Sequence, residues 1–368
     1  MAPTGQPEVL LVSLGSTAGL RLADEQLCDA LRAAGARVEL ARARPPGPLR
    51  TMALTDLAWA RAARAATREA LRERGERTAV IYSSTTAALM WPLAGAIRFD
   101  ACSAANRPGR HGLWQRPAER RRLAASPLLL PWSEAALREC PSAAPPGARA
   151  LVVPVAVEPS GPAPPVRDVA AVTYAANPRK KGFDRVLDAW RRLRADRGPA
   201  GAEAAAGADA AAGPDAGADE LLVAGTDAGE LRRAGIEAPG AEEGVRLLGA
   251  LPPEQYRALL RRARVFVCAP RREDYGIAQL EALADGCMLV TTPAPGPYVA
   301  LGPAREADAR LVGEDLAAGL RIALEEPPAG YAARAERALA QFTPAAVARV
   351  VEQELLPRLL AKPAQLLQ

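Results

Sequence analysis

The sequence predicts an α/β protein built from two Rossmann-like domains, each with a parallel sheet. Short apolar runs rich in β-branched residues alternate with amphipathic helical stretches, which is typical of βαβ units. The chain has 368 residues, a length that normally makes two domains. A Pro-rich polar stretch at residues 158–166 is a good linker between them.

The first domain, predicted over residues 1–160, opens with a βαβ unit. Its first strand runs from Val9 to Leu14, and a glycine-rich turn containing Gly15 and Ser16 leads into a helix. The turn is not G-x-G-x-x-G, so it does not imply a dinucleotide. The same periodicities predict further strands at 38–40, 79–83, 96–100, 128–131 and 151–153, and helices at 20–33, 54–74 and 118–125.

An arginine-dense loop follows the strand that ends at Asp100, and it contains the chain's only histidine, His111. A lone loop histidine is more often solvated than catalytic, although three arginines surround this one. The loop leaves the carboxyl edge of the sheet, where a catalytic role for His111 is possible. The same arginines could instead contact anionic lipid or an acceptor phosphate.

The second domain is predicted over residues 166–342 and begins with a strand at Val169–Tyr174. The turn after it carries two of the chain's three lysines side by side. Lys181 can reach a diphosphate at the neighbouring strand end, and the alternative is a solvated basic turn. A helix at 185–194 follows, and then residues 195–219, whose Ala/Gly/Asp composition predicts a mobile surface insertion.

Residues 265–292 form a further βαβ unit. Its helix opens at Gly276 and places Glu281 on the face that looks at the sheet. A carboxylate there needs a partner, so Glu281 belongs either to a buried structural ion pair or to a ligand site. Glu273 precedes the helix at a strand end, and the amides at Tyr275, Gly276 and Ile277 suit a phosphate. This pattern indicates a binding site.

Composition narrows the class of protein. The net charge of +5 is modest, aromatics are few and arginines alternate with acids, which argues against a nucleic-acid partner. Five cysteines without C-x-x-C spacing indicate reduced core residues and no zinc site. No signal peptide or membrane span is apparent. We therefore expect a soluble cytoplasmic protein, with weak peripheral contact to the inner membrane face as a further possibility.

The run E-D-Y-G-I-A-Q-L-E-A-L-A-D-G, which starts at Glu273, resembles the signature of retaining glycosyltransferases with the GT-B fold, of the family 4 (glycosyl transferases group 1) type. The K-G-x-D turn at Lys181 resembles the family's phosphate-binding turn. The resemblance implies two Rossmann-like domains that face an interdomain cleft, with the final helix, 343–368, crossing back onto the first domain.

The resemblance also implies the chemistry. A sugar would pass from a UDP- or GDP-sugar to an unidentified acceptor with retention of anomeric configuration, without metal or cofactor. Glu281 would bind the ribose hydroxyls and Glu273 the donor sugar. Lys181 and the amides of Gly276 and Ile277 would bind the diphosphate.

The remaining roles implied by the resemblance concern six residues. Arg179 is a displaced substitute for the family's upstream arginine, and the backbone near Leu248 would touch the nucleobase. Gly15 and Ser16 resemble the first domain's loop at the cleft. Asp100 stands near the position of the family's histidine, so that role falls to either Asp100 or His111. A GT-B-fold epimerase or phosphorylase, or a non-catalytic arginine-rich binding protein, remains the alternative.

Overall fold

The structure is a computed structural model that describes residues 7–72, 78–107, 109–140, 149–209 and 220–361. These residues form two compact units. The first holds the chain up to Ala156 together with the residues from Phe342 onwards, and the second holds Val157–Gln341. Among the described residues, no helix is long and apolar enough to cross a membrane.

The first unit contains a five-stranded parallel sheet with strand order β2-β1-β3-β4-β5. The strands are β1 (Glu8–Ser13), β2 (Arg37–Arg42), β3 (Ala79–Tyr82), β4 (Ala96–Phe99) and β5 (Leu129–Pro131). Residues Val9–Val12 of β1 are wholly buried, as expected for an inner strand of a parallel sheet with covered faces. The strand predicted at 151–153 is absent, because this segment makes only short backbone pairing with the edge strand β5.

Among the described residues, six helices of the first unit precede the second unit in the chain. They are α1 (Ala18–Ala33), α2 (Met52–Arg72), α3 (Thr85–Ala88), α4 (Ser103–Asn106), α5 (Gln115–Ala125) and α6 (Glu134–Glu139). Thr17 caps α1 by accepting a hydrogen bond from the Leu20 amide at 3.2 Å. Residues 73 and 74 of the second predicted helix lie outside the described residues.

A disulfide joins Cys102, just after β4, to Cys140, just after α6. The expectation of reduced cysteines is wrong for this pair, because the fold brings together two residues that are 38 apart in the sequence. Cys28, Cys268 and Cys287 are free and buried.

The second unit has its own five-stranded parallel sheet, in the order β10-β9-β6-β7-β8. The strands are β6 (Val169–Tyr174), β7 (Leu221–Ala224), β8 (Val245–Gly249), β9 (Ala263–Cys268) and β10 (Met288–Thr291). The apolar runs of β6 and β9 lie next to each other at the centre of the sheet and are almost wholly buried. Their carboxyl ends therefore meet at one edge.

In the described part of this unit, seven helices accompany the sheet: α7 (Phe183–Asp209), α8 (Ala228–Arg233), α9 (Pro253–Arg262), α10 (Ile277–Ala284), α11 (Leu301–Asp308), α12 (Leu316–Glu325) and α13 (Tyr331–Ala338). Helix α7 continues well beyond its predicted end and includes residues 195–209 of the predicted insertion. Residues 210–219 lie outside the described residues, and the mobility of the insertion stays a prediction.

The chain returns to the first unit through α14 (Pro344–Val350), a π-helical turn (Val351–Leu355) and α15 (Leu356–Leu360). Val347, Val351 and Leu355 pack into the same core as Val9 and Leu11 of β1. This apolar stripe anchors the closing segment on the first sheet. Residues 362–368 of the predicted final helix lie outside the described residues.

Candidate functional site

The turn that carries Lys181 lies against the end of β9. Gly182 has a left-handed φ of +64°, and a Cβ atom there would stand 1.8 Å from the carbonyl oxygen of Ala269. Only glycine permits this close approach. The Arg271 amide donates to the carbonyl of Lys180 at 2.9 Å, so the turn and the loop after β9 are joined. The result is a fixed position for the lysine at the carboxyl edge of the sheet.

Glu273 is buried at the centre of this edge, with 7% of its side chain exposed. Lys181 Nζ lies 2.7 Å from Glu273 Oε2, and Gln279 Nε2 donates to the same oxygen at 3.0 Å. The Glu273 amide donates to the carbonyl of Pro295 at 3.0 Å. A Cβ on Gly296 would stand 2.2 Å from the Glu273 carbonyl oxygen, so the loop after β10 closes tightly over this residue. The carboxylate is therefore preorganised beside a cation.

Helix α10 begins directly above this pair. Gly276 is its N-cap, with φ +91° and ψ 46°, and no side chain caps the helix. A Cβ at Gly276 would lie 2.9 Å from the Cβ of Ala300, which leaves room for glycine alone. Tyr275 is buried, and its carbonyl accepts from the Ala300 amide at 3.2 Å. The first amides of α10, including that of Ile277, remain suited to an anion.

A second acidic cluster lies further along α10. Arg257 on α9 places Nε 2.7 Å from Asp285 Oδ2 and Nη1 3.5 Å from Glu281 Oε1. Burial raises the pKa of Glu281 to about 7, with Asp285 adding to the rise and Arg257 opposing it. If Glu281 belongs to a structural ion pair, its partner is Arg257. The contact to Glu281 is long, however, and Asp285 holds the guanidinium more closely.

Two tyrosines complete the surroundings of Glu281. The rings of Tyr174, at the end of β6, and Tyr256, on α9, are 5.4 Å apart, and burial raises the pKa of both, with the charge of Glu281 contributing. Within the part of the chain that the structure describes, the Tyr256 hydroxyl and Thr226 Oγ1 are buried and have no hydrogen-bond partner. Such groups are suited to a polar ligand.

Two other predicted donor-site residues in this unit lie apart from the Lys181–Glu273 pair. Arg179 donates through Nε to the carbonyl of Ala234, at the end of α8, and its guanidinium is thus directed to α8 and not to Glu273. Leu248 is half-buried on the edge strand β8. The Lys181–Glu273 pair and Gly276 are the predicted residues that the structure brings together.

Three of the predicted residues of the first unit follow strands at the carboxyl edge of its own sheet. Gly15 has φ +56°, and its carbonyl accepts from Arg21 at 2.8 Å, while Ser16 is exposed in the same turn. Asp100 follows β4 directly. His111 falls in the 3-10 turn Gly109–Gly112, and its side chain lies outside the described part of the chain.

Sequence reasoning missed Arg257 and Asp285. Asp285, the C-cap of α10, stands four residues after Glu281, a spacing that could have indicated a shared face. Arg257 had no such signal, because its pairing spans two helices. In the described ranges, no group of three or more His, Cys, Asp or Glu side chains could hold a metal ion, and the predicted metal independence stays a prediction.

Known proteins are similar to this chain in sequence over part of its length. Residues 162–337 match the family model described as glycosyl transferases group 1. A GDP-mannose:cellobiosyl-diphosphopolyprenol alpha-mannosyltransferase from Xanthomonas oryzae pv. oryzae (strain PXO99A) is 36% identical over 85 residues, which is 22% of this chain and 22% of the relative.

Solved structures resemble the whole chain at low identity. Sucrose-phosphate synthase from Thermosynechococcus elongatus has a TM-score of 0.68 at 16% identity, covering 96% of this chain and 99% of that one. Anabaena Alr3699/HepE, in complex with UDP and glucose, has a TM-score of 0.63 at 12% identity, with 96% and 100% covered. These likenesses show the fold, and the predicted GT-B fold is confirmed.

Proposed function

Residues 162–337 form a glycosyl transferases group 1 domain, and from that premise we propose that this protein transfers a sugar from a nucleoside diphosphate sugar to an acceptor, with retention of configuration and without a metal. One observation carries the proposal. A buried carboxylate, Glu273, and a cation, Lys181, lie 2.7 Å apart beside a helix start without a side-chain cap. That arrangement suits a sugar on one side and a departing diphosphate on the other.

Lys181 and α10 supply the charge for the leaving group. As the bond to the sugar breaks, negative charge grows on the diphosphate. The ammonium group of Lys181 and the amides of Gly276 and Ile277 would stabilise that charge, in the manner of preorganised dipoles. Lys181 binds Glu273 in the free protein, and the diphosphate would share it.

The two glutamates would divide the rest of the donor. Glu273, fixed by Lys181 and Gln279, would hold hydroxyls of the sugar, and Glu281 would accept hydrogen bonds from the ribose hydroxyls. Neither is proposed as a covalent nucleophile. Retention would follow from attack on the same face of the sugar that the diphosphate leaves, with His111 or Asp100 of the first unit serving the acceptor.

The nucleoside diphosphate of the donor is UDP or GDP in this proposal. The Xanthomonas relative is named for GDP-mannose, and the Anabaena structure contains UDP. A thermal-shift panel of UDP, GDP, ADP and TDP tests the donor site and identifies the base. One nucleotide should raise the melting temperature clearly more than the others. If none does so, the donor-site proposal is wrong.

A surface of the first unit supports peripheral contact with an anionic membrane. Leu49, Met52 and Leu113 are 45%, 49% and 65% exposed. The segments that contain them, 40–55 and 101–118, hold six arginines and no acidic residue. Arg107 Nε lies 2.7 Å from Asp56 Oδ2 on α2, one residue after the first segment, and this contact holds the second segment beside α2. Apolar side chains among arginines suit the headgroup region of a bilayer.

Vesicle sedimentation tests this membrane contact. Vesicles containing phosphatidylglycerol should pellet more of the protein than pure phosphatidylcholine does, and Leu113→Asp should reduce the difference. Leu360→Asp is the matched control, because Leu360 is 46% exposed on the closing segment and lies outside the two arginine-rich segments. Equal binding of Leu113→Asp and the wild type would contradict the contact.

A further inference from the structure

The guanidinium of Arg257 is held by three acceptors. Nε donates to Asp285 Oδ2 at 2.7 Å, Nη2 donates to the carbonyl oxygen of Glu158 at 2.7 Å, and Nη1 lies 3.5 Å from Glu281 Oε1. Arginine presents these donors in a planar fork, so two close contacts fix the direction of the third nitrogen. Arg257 is thus aimed at Glu281 by partners other than Glu281.

Asp285 is itself fixed on its other side. Its side chain is 0% exposed, and Oδ1 accepts from the amide of Ser160 at 2.7 Å and from Ser160 Oγ at 2.9 Å. Asp285 and the Glu158–Ser160 segment therefore form a rigid support for Arg257. This support belongs to the second unit, which begins at Val157.

The environment of Glu281 makes the guanidinium important. The groups that face its carboxyl are Arg257 and Tyr256 from α9, Asp285 from the C-cap of α10 and Tyr174 from the end of β6. Arg257 is the cation among them. Without it, a carboxylate with 12% of its side chain exposed would face another carboxylate and two phenols. Burial and like charge both favour the protonated form.

We infer that Arg257 is a positioning residue for donor binding, which favours the ionised form of Glu281 and orients its carboxylate while leaving its oxygens free to accept hydrogen bonds from a ligand. The inference rests on the proposed function. The long 3.5 Å contact is part of it, because a tight bidentate pair would occupy the oxygens that ribose hydroxyls need. A protonated Glu281 would accept fewer hydrogen bonds than the carboxylate.

The test measures binding of UDP and of GDP by calorimetry from about pH 5.5 to about pH 9, across the titration of Glu281. Wild-type affinity should rise through about pH 7, the pKa of Glu281. Arg257→Met should bind about tenfold more weakly at neutral pH. Its midpoint should move up by about 1 to 3 pH units, so that affinity recovers at alkaline pH.

Arg257→Lys retains the charge without the fork. It should keep the wild-type midpoint with intermediate affinity. Arg257→Gln, which also removes the charge, replaces Arg257→Met if that variant does not fold. Arg262→Met is the control, because Arg262 pairs with Asp168 at the surface and should leave both quantities unchanged. An Arg257→Met variant with the wild-type midpoint would overturn the inference, whether its affinity is normal or uniformly reduced.

A nucleotide-free measurement separates this inference from the proposed function. Carbon-13 NMR of labelled glutamate carboxyls, with Glu281→Gln for assignment, reports the titration of Glu281 directly. The titration should move to higher pH in Arg257→Met even if neither UDP nor GDP binds. An unchanged titration would refute the role of Arg257, whereas absent nucleotide binding alone would refute the donor site.

Discussion

Replacing Lys181 with methionine removes the cation at the centre of the proposed donor site. Its Nζ lies 2.7 Å from Glu273 Oε2, and 21% of the side chain is exposed, so it is accessible to a diphosphate while partly shielded from water. A hydrogen bond to a charged group contributes about 1.5–3 kcal/mol. Loss of that contact should weaken binding of the preferred nucleoside diphosphate about 10- to 150-fold.

Turnover should fall further than binding. Lys181 would meet charge that develops as the diphosphate departs, and loss of a donor at such a position typically costs about 10²–10³-fold in kcat. Glu273 keeps Gln279 as a hydrogen-bond donor but loses its cation, and so the folded state should also lose about 1–3 kcal/mol. Melting temperature is therefore measured alongside binding.

Lys180→Met is the matched control for this experiment. Lys180 adjoins Lys181 and pairs with Asp274 at 3.1 Å, but 44% of its side chain is exposed and Asp274 keeps Arg272 at 2.9 Å. Its removal should change stability by less than about 1 kcal/mol and leave turnover near the wild-type rate. Calorimetry with UDP and GDP, and release of nucleotide from the sugar donor, measure both variants. Equal nucleotide affinity in Lys181→Met and Lys180→Met would refute the role of Lys181.

Three further predictions concern the glutamates. Glu281→Ala should weaken nucleotide binding, measured by calorimetry, while circular dichroism shows a folded protein; unfolding without a separate binding defect would favour a purely structural ion pair. Glu273→Ala should abolish most turnover in a donor-consumption assay while nucleotide affinity largely survives, and a parallel loss of both would count against its contact with the sugar. The pKa of Glu281 is raised by burial from 4.5 to about 7, so the native state binds more protons than the unfolded state between these values and stability falls as pH rises through that window. Glu281→Gln should remove this loss, about 3 kcal/mol in denaturant titrations across the window, and an unchanged pH profile would contradict the raised pKa.

Much of the fold followed from local pattern. The apolar runs that form β1, β6 and β9 have the composition of inner strands, and the stripe of Val347, Val351 and Leu355 needed a partner surface. The segment at 151–153 has the same apolar character as a strand. It makes few backbone hydrogen bonds with β5. Residue composition alone does not predict how many hydrogen bonds a segment makes with an edge strand.

The candidate site was predictable where its residues are close in sequence. Glu273, Gly276 and Glu281 follow one another around the start of one helix, so their spacing predicts where each lies relative to that helix. Lys181 was found by its contrast with an arginine-rich chain. Contacts between residues that are distant in the sequence gave no local signal. Arg257 lies on a different helix from Glu281, and the disulfide of Cys102 links residues 38 apart. The direction of Arg179 depends on the carbonyl of Ala234, which no local pattern encodes.

The central claim is that a nucleoside diphosphate binds at Lys181, and the chain's composition offers a direct measurement. The protein has three lysines, so carbon-13 dimethylation gives three lysine resonances, which Lys180→Arg, Lys181→Arg and Lys362→Arg assign. Adding UDP or GDP should shift the Lys181 resonance most, because the diphosphate competes with Glu273 for its ammonium group. A Lys181 resonance that stays unchanged at saturating UDP and GDP would contradict the donor site.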